Sequence, residues 1–175
     1  MKKYELTSEF IISFGRKLYR IKALIDFANV EAGELGGYIE KEENLDQSGD
    51  AWVSGDAWVS GDAWVYGDAR VCGDARVCGD ARVSGNARVC GDAWVSGDAW
   101  VYQRTHLLQI GYIGSRSDVT TFFRTKSKVI YVKCGCFEGS IADFEAAVEK
   151  AHKGTKHEKT YKLAIQLAKE QIELD

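Results

Sequence analysis

Residues 49–66 read GDAWVSGDAWVSGDAWVY, one six-residue unit written three times. Residues 67–102 continue it as GDARVCGDARVCGDARVSGNARVCGDAWVSGDAWVY. Self-similarity at a short fixed period is the mark of a solenoid, in which each unit buries its apolar face only by stacking on its neighbours. Val recurs at 53, 59, 65, 71, 77, 83, 89, 95 and 101, with Ala two residues before each. In Ala-x-Val, strand alternation sends Ala and Val to one face and x to the other. The small apolar pair faces inward, so the Trp or Arg at x faces outward. Gly-Asp, once Gly85-Asn86, supplies the bend, because Gly tolerates positive φ and Asp hydrogen-bonds turn backbone. The chain has no Pro, so every inter-coil N–H remains available.

This pattern resembles the left-handed β-helix hexapeptide-repeat family, with an aliphatic residue at every sixth position and a small one four residues later. The resemblance implies a triangular left-handed parallel β-helix with three hexads per coil. Residues 49–102 then make three coils. A step of 18 residues aligns Trp52, Arg70 and Arg88 on one face, Trp58, Arg76 and Trp94 on the second, and Trp64, Arg82 and Trp100 on the third. Two faces read Trp-Arg-Trp, a guanidinium between two indoles, and these six residues form the candidate partner surface. Asp56-Asp74-Asp92 and Asp62-Asp80-Asp98 stack likewise, each expected to serve its own turn and to hold no metal. Cys72 and Cys90 share a ladder but alternate with Ser, so they read as small packed residues.

The resembling family contains many acyltransferases, usually trimeric, that use a His general base on a loop interrupting the coils. Here the hexads run without insertion and contain no His; His106, His152 and His157 lie outside them. No catalytic residue is therefore assigned, no cofactor is expected, and acyl transfer through His106 is the alternative reading.

The flanks are different in kind. Residues 1–48 are expected to form an N-terminal β cap: FIISF and KLYRIKALI as a hairpin, then an irregular first coil around Gly36-Gly37, Leu35 and Leu45. Residues 103–175 read as a C-terminal α+β unit of type βββαα. Its strands lie near Leu107–Ile113, Val119–Thr125 and Val129–Cys134. One helix follows with Ser140 as N-cap and Gly154 at its end, then a second begins at Thr155 with Glu158 as its capping box. The segments ALIDFANVEAGELGGYIEKEENL, GYIGSRSDVTTFFRT and VKCGCFEGSIADFEAAVEKAH resemble uncharacterised bacteriophage and prophage hexapeptide-repeat proteins. That resemblance implies a mobile-element origin.

Apolar residues make up 45% and charged ones 28%, the composition of a folded chain. The N-terminus lacks an apolar signal core and no apolar run approaches a membrane span, so a cytoplasmic protein with reduced thiols is expected. The net charge of −3 hides a gradient: residues 103–133 hold six Lys/Arg against Asp118 alone. Within that basic stretch Ser115, Arg116, Asp118, Thr120, Thr121 and Arg124 form a candidate anion cradle of hydroxyls and guanidinium beside Gly114. The reading that results is a non-catalytic binding protein that captures a host protein or a small anionic, nucleotide-like ligand. Such capture would suit counter-defence. A homo-oligomer, dimer or trimer, is expected, with membrane and nucleic-acid partners disfavoured. A structural, self-assembling β-helix is a further alternative.

Overall fold

A computed structural model describes residues 1–175. Each hexad contributes one short strand: β4 (Trp52–Val53), β5 (Trp58–Val59), β6 (Trp64–Val65), β7 (Arg70–Val71), β8 (Arg76–Val77), β9 (Arg82–Val83), β10 (Arg88–Val89), β11 (Trp94–Val95) and β12 (Trp100–Val101). Strands 18 residues apart pair in parallel: Arg70 with Trp52 and Arg88, Arg76 with Trp58 and Trp94, Arg82 with Trp64 and Trp100. The nine Val and nine Ala are all at most 1% exposed. Every turn Gly from Gly49 to Gly97 has φ between +56° and +71°. A preceding strand, β3 (Leu35–Ile39), pairs in parallel with β5, Tyr38 opposite Trp58, and Leu45 bridges Val65. The solenoid thus has about four turns, and its first, partial turn is two residues longer than the 18-residue repeat. Close backbone approach explains Gly36 and Gly37 there: a Cβ on Gly37 would run into the Ala57 carbonyl.

The ladder is polar along its length. Outside the strand pairs, N–H groups of one coil donate to carbonyls of the next, as in Asp50 to Gly67 (2.9 Å), Trp52 to Ala69 (3.1 Å) and Ser54 to Val71 (2.9 Å). The beginning of the solenoid is therefore rich in carbonyls and its end rich in N–H groups. Donors meet the first. Lys3 Nζ donates to Ser48, Gly49 and Ala51 O at 3.2, 3.3 and 3.0 Å, and Asn44 Nδ2 donates to Gly61 and Ala63 O at 3.0 and 2.8 Å. Acceptors meet the second. Thr121 Oγ1 accepts from Trp94 N at 3.2 Å and His106 Nδ1 from Tyr102 N at 3.4 Å. The Gln109 amide, oriented to satisfy both partners, accepts from Asp92 N and donates to Cys90 O.

The N-terminal hairpin, β1 (Tyr4–Ser13) and β2 (Arg16–Ala23), joins β3 antiparallel, giving one sheet of order β1-β2-β3-β5-β8-β11. It corrects the expectation of uniformly exposed outward indoles. Trp52 is 1% exposed, covered by Tyr4 and Phe27 at ring-centroid distances of 6.3 and 5.4 Å. Trp58, of the candidate partner surface, is buried with Leu18 and Tyr38, and Phe14 from the hairpin tip lies 6.1 Å from it and 5.9 Å from Trp94. Both indoles point out of the coil, but the first 30 residues lie over them. A second correction concerns the thiols. Cys72 and Cys90 form a disulfide, because the 18-residue repeat sets their Cα atoms 4.5 Å apart on adjacent coils.

The C-terminal unit has four strands, not three. They are β13 (Leu107–Ile113), β14 (Asp118–Arg124), β15 (Ile130–Cys134) and β16 (Phe137–Ser140), antiparallel in chain order. The expected βββαα is thus ββββαα. Gly135, at φ +56°, lets a two-residue turn reverse the chain, and the four-residue β16 leads straight into the helix cap. Ser140 caps α1 (Ile141–His152) by accepting from Asp143 N. Thr155 caps α2 (Lys156–Gln171) by accepting from Glu158 N, while Glu158 accepts from Gly154 N. Phe144, Val148, Tyr161, Ile165, Ala168 and Ile172 bury the helices on Phe122, Ile130 and Val132 of the sheet. The sheet's other face covers the end of the solenoid, where Ala99 bridges Thr125.

Two predictions follow from these ends. Trp52→Ala will cost about 3–5 kcal/mol in urea unfolding, the range for a deleted buried aromatic. Arg88→Ala, exposed on the same ladder, will stay within about 0.5 kcal/mol. His106 is fully buried, and burial first, then the Arg124 charge, hold its pKa below the ordinary 6.5. The unfolded chain binds that proton before the folded one does, so the contribution of neutral His106 is complete above 6.5 and is lost as pH falls toward the lowered folded value. Unfolding midpoints at about pH 7.5 and about pH 5.5 will therefore differ more in wild type than in His106→Asn.

Candidate functional site

The β13–β14 turn, Gly114–Ser117, and the β15–β16 turn, Gly135-Cys136, converge beside α1 and the start of α2. Between them opens a cleft of about 240 Å³. Phe137, Phe144, Val148, Ala151 and Tyr161 line its apolar side, and Ser115, Arg116, Asp118, Cys136 and His152 line the rest. Gly114 stands at φ +79° with the Tyr161 hydroxyl directly over it, so any side chain there would displace Tyr161. The Tyr161 phenol lies 3.8 Å from Cys134 Sγ, and burial first, then Cys134, push its pKa up. It therefore stays a neutral hydrogen-bonding group at physiological pH.

Arg116 is the site's cation. It takes part in none of the chain's ion pairs, and no side-chain hydrogen bond occupies its guanidinium. Asp118 Oδ1 accepts from Val119 N at 2.7 Å, and Asp118 forms no ion pair with Arg116. Both side chains nevertheless reach the second turn: a Cβ on Gly135 would lie 3.5 Å from Asp118 Oδ2 and 3.8 Å from an Arg116 nitrogen. A guanidinium with open valences beside an apolar wall suits a ligand carrying an anionic group on an apolar body.

The six residues of the sequence-derived cradle do not stay together. Ser115, Arg116 and Asp118 share the cleft mouth. Thr120 and Thr121 are at most 1% exposed: Thr120 Oγ1 donates to Cys134 Sγ at 3.2 Å, and Thr121 serves the solenoid end. Arg124, at the far end of β14, is buried, donating to Trp100, Thr125 and Asp175 carbonyls and lying over the Tyr102 ring. The basic excess is spent in part on structure, since Lys133 also pairs with Glu138 at 3.2 Å. Phe137, Phe144, Val148, Tyr161 and His152 were missed as site residues. The helix was legible from its Ser140 cap, but not which loops it would face.

The partner surface divides as well. With Trp58 covered, Arg76 and Trp94 line a second cleft of about 430 Å³ with Asp74, Asp92, Tyr112, Asp118, Thr121 and Lys133. Arg76 lies 5.3 Å and Lys133 Nζ 4.1 Å from the Trp94 ring, so the indole is already engaged by two cations. Trp64, Arg82 and Trp100 stay on an open face. There Arg82 sits 5.7 Å from Trp64, which stacks on Tyr66 at 4.1 Å. Each Arg engages one indole, not the two that simple stacking implied. His106, the base of the alternative acyl-transfer reading, is sealed at the solenoid end with Nδ1 committed to Tyr102 N.

Comparison with protein families matches the YdcK Beta solenoid repeat at residues 69–85, 75–88 and 87–103. These stretches are the second and third full coils, so the last two coils are similar to that β-solenoid. No curated protein matches the chain.

Proposed function

We propose that this chain is a non-catalytic binding protein whose ligand is a small anion with an apolar body, held in the cleft between the β13–β14 turn and α1. The observation that carries this reading is the unpaired Arg116 guanidinium at the mouth of a cleft with one apolar wall. Arg116 receives the anionic group, Ser115 adds a hydroxyl, and Asp118 favours a ligand that also offers a donor. The apolar body lies against Phe137, Phe144 and Val148. The left-handed winding and the phage origin implied by resemblance belong to the same proposal, with a host metabolite or signalling molecule as the captured ligand.

A second reading, capture of a host protein, is favoured by the open face of Trp64, Tyr66, Arg82 and Trp100, where Asp62, Asp80, Asp98 and Lys126 form a polar rim. Acyl transfer loses support because its candidate base is buried. End-to-end polymerisation loses support because both solenoid ends are closed by the chain's own donors and acceptors. No helix is long and apolar enough to cross a membrane.

Calorimetric titration with aromatic carboxylates, medium-chain carboxylates and nucleoside phosphates tests the proposal. At least one class will bind, and Arg116→Ala will weaken it by about 1.5–3 kcal/mol, the scale of a charge-assisted hydrogen bond. Thermal stability will hardly change, because Arg116 is an exposed turn residue. Equal affinity in the variant, or no binding by any class, would overturn the assignment.

A further inference from the structure

Helix α2 buries one face and leaves another without a partner. Tyr161, Ala164, Ile165 and Ala168 are buried, whereas Leu163 and Leu167 are 68% and 49% exposed. The two leucines stand beside an apolar groove of about 230 Å³ whose far wall is Ile110 and Ile113 of β13, the edge strand of the C-terminal sheet. Exposed leucines one helical turn apart beside a groove of their own size are costly to leave in water.

The charges on this stripe identify the occupant. Positions 156, 160, 163, 167 and 170 follow one another at alternating steps of four and three, the spacing of a helix–helix seam. They carry Lys156, Thr160, Leu163, Leu167 and Glu170, with Lys159 on the flank. Charges on the side of α2 that faces α1 are paired within the chain, Lys162 with Glu149 and Lys169 with Glu145. Lys156, Lys159 and Glu170 enter none of the chain's ion pairs. Turned end for end about a two-fold axis level with Ile165, a second α2 sets Leu163 against Leu167 of its mate and Glu170 opposite Thr160, between Lys156 and Lys159. A parallel mate would set lysines on lysines and Glu170 on Glu170. The stripe is thus complementary to itself in the antiparallel sense only, as an isologous contact requires.

We infer that this surface is a self-association interface: two copies of the chain pair through antiparallel α2 helices, each lodging Leu163 and Leu167 against the other's α2–β13 groove. The interface lies apart from the Arg116 cleft and does not depend on a ligand. Its test is sedimentation equilibrium of the full chain over a hundredfold concentration range. The expected mass is twice that of the chain at the upper end. Leu163→Asp with Leu167→Asp will sediment as a monomer, with circular dichroism unchanged because both side chains are already exposed. Glu170→Lys alone will weaken the dimer at least tenfold. Adding Lys156→Glu and Lys159→Glu to it will restore the affinity, a rescue that lost folding cannot mimic. A wild type that is monomeric throughout, a dimer that survives the Asp variant, or a charge reversal that restores nothing would each overturn the inference.

Discussion

The rest of the molecule is organised by the direction of the hydrogen-bond ladder between coils. A closed coil of hexads satisfies its neighbours on both sides, but the first and last coils must be satisfied by something else, and the two needs are opposite. Carbonyls prevail at one end and N–H groups at the other. Lys3 and Asn44 bring donors to the first; Thr121, Gln109 and His106 bring acceptors to the second. Lys3 shows the strain of this duty, since burial lowers its pKa to about 8 while three carbonyls hold it in place. The non-repetitive flanks supply these groups.

Covering the ends also decided what the outward residues became. The same Ala-Trp-Val unit yields a buried indole at Trp52, a covered one at Trp58 and a half-exposed one at Trp64. The difference is supplied by Tyr4 and Phe14 from the hairpin and by Phe27 just after it. At the other end, β14 turns Thr120 and Thr121 inward and leaves only its entry turn, with Ser115, Arg116 and Asp118, for chemistry. The candidate site lies where the C-terminal unit has no structural duty to the solenoid.

How much was legible differs by element. Inward Ala and Val, the 18-residue register and the helix caps at Ser140 and Thr155 could be read directly, because each depends on local geometry and a short period. The cradle could be read only in part. Its residues are contiguous in sequence, but strand alternation and the docking of β14 send neighbours to different environments. The fourth strand escaped notice because Phe137–Ser140 is too short to show a period and runs directly into a helix cap.

By itself, then, the sequence determined the solenoid, its stacking partners and the closeness of Cys72 to Cys90, since a strict period leaves one register in which every Ala and Val is inside. Only the tertiary structure decided that those thiols join, which indoles are covered, that Arg124 and His106 are structural, and that Arg116 meets an apolar wall from α1. These outcomes depend on segments far apart in the chain competing for the same surfaces, and no local pattern of residues encodes the result of that competition.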